Sequence, residues 1–112
     1  MGFNLQSQIF NRKSLMVIGS LEVRLLVRES RSLKDKRRVV RSVLDRVRAG
    51  FNASAAEVGS HDDVKVAELG FAVVAAEREA ANAVLNQIAE SLRRHPVAEY
   101  LGGTVTVGSE VV

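Results

Sequence analysis

The chain has 112 residues, 46% of them apolar and 26% charged, with a formal net charge of +3. That length suits one domain with a single buried core, and the composition is that of a globular protein rather than a disordered one. There is no cysteine, which excludes disulfide and thiolate chemistry, and no apolar run reaches the roughly 18 residues a membrane helix needs.

Residues 1–15 are polar and aperiodic, with scattered Phe3, Leu5, Ile9 and Phe10. They are expected to form a flexible N-terminal extension, with those four residues available to cover an edge. Met16 is read as an alternative expected start. The N-terminus lacks the charged-then-apolar order of a signal peptide, and a cytoplasmic location is expected.

From Met16 onward the chain is expected to be a single domain, residues 16–112. Met16–Val27 alternates: Val17, Leu21, Val23, Leu25 and Val27 point one way, and Ser20, Glu22 and Arg24 the other. This predicts a half-buried strand.

Ser32–Phe51 then reads as an amphipathic helix. Val40, Val43, Leu44, Val47 and Phe51 recur at helical spacing, with Leu33 on the same stripe. Ser32 is its predicted N-cap, because a hydroxyl there can accept from a free backbone N–H. The basicity of the protein is concentrated here. Arg28–Arg48 holds nine Lys/Arg against three Asp/Glu, a local charge of +6, and the other seven bases and ten acids leave the remainder at −3. Lys34, Arg37, Arg38, Arg41 and Arg48 gather on one flank of the apolar stripe, with Asp45 among them. Cations in the first turns oppose the helix dipole by roughly 0.3–1 kcal/mol each when exposed. They become favourable when an external anion docks beside the free N–H groups. The bland alternative is a solvated basic face.

Gly50 and Asn52 end the helix. Ala53–Val58 is a weak, alanine-rich strand, Gly59–Asp63 a turn, and Val66–Ala75 a strand with Ala67, Leu69, Phe71 and Val73 inward. Glu77–Arg94 is a second helix, with Ala81, Val84, Leu85, Ile88 and Leu92 as its stripe, stopped by Pro96. Ala98–Val107 is the last strand, with Val105 and Val107 inward and Gly102-Gly103 allowing a bulge. The order β-α-β-β-α-β predicts an α+β, ferredoxin-like fold: a four-stranded antiparallel sheet with two helices on one face.

Catalysis is not expected. Glu22 and Glu68 are paired carboxylates if they face each other, but no nucleophile or His lies near them in sequence. Ser30, Ser32 and Ser42 lie in no nucleophile elbow. His61, Asp62 and Asp63 crowd one loop without a second ligand cluster, so a structural turn is expected and no metal or cofactor is assigned. His95 reads as a helix-end residue. The outward strand positions carry no aromatic side chain on which bases could stack, so RNA contact through the sheet is disfavoured. Any such contact falls to the basic helix flank and reads backbone or shape. The outward face also holds Ile18, Leu26, Ala72 and Val74, a partly apolar surface suited to self-association.

Three blocks, MVIGSLEVRL (Met16–Leu25), the SLKDKR-containing stretch Ser30–Val58, and AELGFAVV (Ala67–Val74), resemble the YlxP-like family, a bacterial family of unknown function. Members carry an aromatic after the acidic or His-containing turn, where Val64 stands here. The resemblance implies the ferredoxin-like fold and a link to ribosome maturation, and brings no catalytic motif. The combined expectation is a non-enzymatic accessory protein binding ribosomal RNA or the small ribosomal subunit. Arg31, Lys34, Lys36, Arg37, Arg38, Arg41 and Arg48 are the expected phosphate contacts. The alternative is a protein–protein module, homodimeric through the open sheet face.

Overall fold

The computed structural model describes residues 16–108. The expected elements are all present: β1 (Val17–Leu26), α1 (Leu33–Gly50), β2 (Ser54–Gly59), β3 (Val66–Ala75), α2 (Arg78–Arg93) and β4 (Glu99–Gly108). The sheet order is β2-β3-β1-β4 with every neighbouring pair antiparallel, which is the ferredoxin-like arrangement. Residues 1–15 and the last four lie outside the described residues, and with them the expectation of a flexible extension.

Alternation decides the layers. Val17, Leu21, Val23 and Leu25 of β1 are buried, as are Ala67, Leu69, Phe71 and Val73 of β3. Their neighbours Ile18, Glu22, Arg24, Ala72 and Val74 are exposed. One sheet face therefore carries both helices and the other is open. Val40, Val43, Leu44 and Val47 of α1 and Ala81, Leu85, Ile88 and Leu92 of α2 join the same core. α1 packs over β2, and α2 over β1, β3 and β4.

Gly19 sets how closely α2 approaches. A Cβ there would stand 2.8 Å from Leu85 Cδ1 and 3.3 Å from the Ala81 methyl, so the helix rests on bare backbone. The β4 bulge falls at the expected place. Register slips between Arg24 and Leu25, and Gly102 takes φ +155°, a value that glycine tolerates. Val105 corrects the reading of β4. It pairs with Leu21 on the helix side, yet it is 41% exposed because no strand flanks β4 beyond it.

Candidate nucleic-acid interface

α1 is fixed at its start by reciprocal capping. Ser32 Oγ accepts the Asp35 N–H at 3.0 Å, and the Asp35 carboxylate accepts the Arg31 N–H at 3.1 Å. The single acid of the first turn is thus engaged with backbone, not with a neighbouring cation. Arg31, Lys34, Arg37, Arg38 and Arg41 are exposed, and their side chains have no hydrogen-bond or ion-pair partner among the described residues. Lys34, Arg37 and Arg41 follow one face, spanning about 10 Å along the axis at 1.5 Å per residue. Arg38 flanks them. The result is a stripe of cations with nothing to neutralise it locally.

Two expected members behave differently. Arg48 is partly engaged: it reaches Asp45 at 3.4 Å and donates to the Ala55 carbonyl at 2.5 Å. Lys36 is a correction. It is fully buried, and no phosphate can reach it. Its ammonium donates to the carbonyls of Ser60 at 2.6 Å and Val66 at 3.1 Å, and lies 3.3 Å from Glu57 Oε2. That carboxylate oxygen has no hydrogen bond of its own, so charge alone holds the Lys36–Glu57 contact. The physical reason was visible in the spacing: Lys36 stands four residues before Val40 and seven before Val43, inside the apolar stripe.

Lys36 ties the β2–β3 turn to α1. Lys65, from the same turn, ties it to the β1–α1 connection by donating to the carbonyls of Arg28 at 2.6 Å and Ser30 at 2.9 Å. The two lysines lock the loop that leads into the basic stripe. Nothing in sequence pointed to Lys65, because its partners lie more than thirty residues away in the chain.

The other candidate groups are structural in their contacts. Asp63 accepts the N–H groups of Lys65 and Val66, both at 2.8 Å, and these bonds hold its carboxyl below the usual range. His61 Nε2 lies 3.3 Å from the Glu57 carbonyl. Glu22 stands opposite Gly70 and Glu68 opposite Arg24, so the two carboxylates are not a facing pair. Glu68 accepts instead from Ser60 Oγ at 2.6 Å. A hollow of about 670 Å³ beside Leu26, His95 and Tyr100 has most of its charges satisfied within its own walls. Arg28 bonds Glu99 at 2.7 Å, and the Arg93 guanidinium sits 4.7 Å over the Tyr100 ring.

On the open face, Ile18 and Val74 are direct cross-strand partners, 50% and 67% exposed, with Ala72 beside them. Leu26 is separate. It lies eight residues along β1, about 26 Å away at the usual strand rise, beyond Glu22 and Arg24.

Comparison with known proteins adds the lineage. The sequence profile of the family described as "Protein of unknown function (DUF503)" matches residues 18–104. The chain is 30% identical over 83 residues to "Uncharacterized protein YlxP" of Bacillus subtilis (strain 168), covering 74% of this chain and 90% of that protein. A de novo designed protein with a ferredoxin fold, solved by solution NMR, is similar at 27% identity. Its TM-score is 0.47, over 85% of this chain and 88% of that one.

Proposed function

We propose, for a chain that belongs to the DUF503 or YlxP-like family of proteins of unknown function, that it is a cytoplasmic RNA-binding accessory protein. It acts on structured ribosomal RNA or the small ribosomal subunit and makes or breaks no bond. One observation carries the reading: Lys34, Arg37, Arg38 and Arg41 on one rigid helix, with Arg31 just before its N-cap, form an exposed group of cations, unpartnered among the described residues. Guanidinium and ammonium groups so placed neutralise phosphates and release condensed counterions. The open sheet face, with Glu22 exposed and no aromatic ring among the described residues, does not favour base stacking. Contact is therefore to phosphate and helical shape, with weak sequence preference.

The test is co-sedimentation with small ribosomal subunits. Reversing charge at Arg37, Arg38 and Arg41 together is expected to abolish it while circular dichroism stays native. Unchanged co-sedimentation in a folded variant would overturn the reading and turn attention to the apolar Ile18–Val74 patch.

A further inference from the structure

The two edges of the sheet are treated differently, and the difference points to a partner. Val27 N–H donates to the Lys65 carbonyl. In an antiparallel ladder this fixes which backbone groups face which way: the alternate residues of β1 from Gly19 to Val27 face β3, and those between face β4. Carried through the registers, Ala55 and Glu57 of β2 and Gly103, Val105 and Val107 of β4 turn their N–H and C=O groups outward.

On β2 the outward carbonyl of Ala55 accepts from Arg48, and the ring Nε2 of His61 stands 3.3 Å from that of Glu57. That strand is also short and bulged between Glu57 and Gly59. These are the usual protections of an exposed edge. On β4 only Val107 is covered, by Arg78 at 3.0 Å. The N–H and C=O groups of Gly103 and Val105 have no partner among the described residues. From Gly102 to Gly108 the strand carries no charge and no proline, and Val105 is 41% exposed at its margin.

We propose that the β4 edge pairs with the β4 edge of a second copy of this chain, joining two sheets into one of eight strands. A two-fold axis through Thr104 sets Gly103 against Val105 of the other copy and Val105 against its Gly103. Four ladder bonds form from the unpaired groups, and the Arg78–Val107 bond is left intact. Val105 then lies over the partner's Gly103 beside the Tyr100 hydroxyl, which already covers that glycine. The occupant is a second copy because the strand is uncharged and self-complementary in this register. Two molecules of net charge +3 meet there without opposed like charges.

The test uses the full chain. Sedimentation across a concentration series is expected to show the mass rising to twice the monomer's, and Val105→Pro, which removes an outward N–H and nothing from the β1 ladder, to leave only monomer. The axis makes Thr104 its own cross-strand neighbour at a Cα separation of about 4.5 Å, within disulfide range. In this cysteine-free chain Thr104→Cys should cross-link on mild oxidation, whereas Ser54→Cys should not. A monomer at every concentration would overturn the proposal. So would a dimer untouched by Val105→Pro, or a Ser54→Cys variant that cross-links as efficiently as Thr104→Cys.

Discussion

Lys36 and Arg37 are adjacent in sequence and opposite in fate. Arg37 projects into solvent, whereas Lys36 is enclosed with its ammonium on two carbonyls and beside Glu57. Removing Lys36 leaves Glu57 charged and uncompensated and two carbonyls without donors, so Lys36→Ala should destabilise the fold by about 3–5 kcal/mol. Urea denaturation measures this. Lys36→Met with Glu57→Leu, which removes both charges, should recover much of the loss. A Lys36→Ala protein of native stability that no longer bound RNA would instead mark Lys36 as a ligand. His95 gives a second test. Its Nδ1 accepts the N–H groups of Val97 at 3.1 Å and Ala98 at 3.2 Å. Burial, and then the Arg46 charge, push its pKa below the ordinary value of 6.5. The fold favours the neutral ring, so its contribution is complete above the ordinary histidine pKa and is lost as pH falls through it. Tm should begin to decline as pH falls below about 6.5 and go on declining until the lowered pKa of the folded state is passed. His95→Asn keeps an acceptor without titrating, and should flatten that part of the decline.

At the level of elements, the strongly periodic segments were legible because tertiary packing agreed with them. β3 has the bounds its alternation implied, and α1 starts after Ser32 because the hydroxyl caps it as its position predicted. β2 reads weakly because alanine has little strand preference, and β3 beside it supplies the ladder. Gly19 falls at an inward position of β1, but sequence could not say that Leu85 and Ala81 would close on it. Gly19→Val should therefore cost about 1–3 kcal/mol by overpacking. Combining it with Leu85→Ala, which vacates the clashing Cδ1, should cost less than the two changes summed, as read from a double-mutant cycle. The site was legible as a flank of cations but not as a set of ligands. Charge type alone did not separate Lys36, whose helical angle places it in the core, from Lys34. Asp45 was a visible partner for Arg48 at helical spacing, but the Ala55 carbonyl was not, because only the fold brings it there.

Over the whole molecule, charge and apolar exposure are segregated. The basic stripe lies on α1, over the β2 side of the sheet, while the unprotected edge is β4, on the opposite side. Partner pairing at β4 therefore leaves α1 clear for phosphate, and the two surfaces can be tested separately. No described helix is long and apolar enough to cross a membrane. The most direct measurement is the affinity of the full chain for a structured RNA hairpin across a salt series. With four or five phosphates neutralised, log affinity should fall with log salt at a slope of about −3.6 to −4.5. Replacing Arg37, Arg38 and Arg41 by glutamine should remove most of that slope. A shallow slope, or one unchanged by the three substitutions, would contradict the assignment of function to α1.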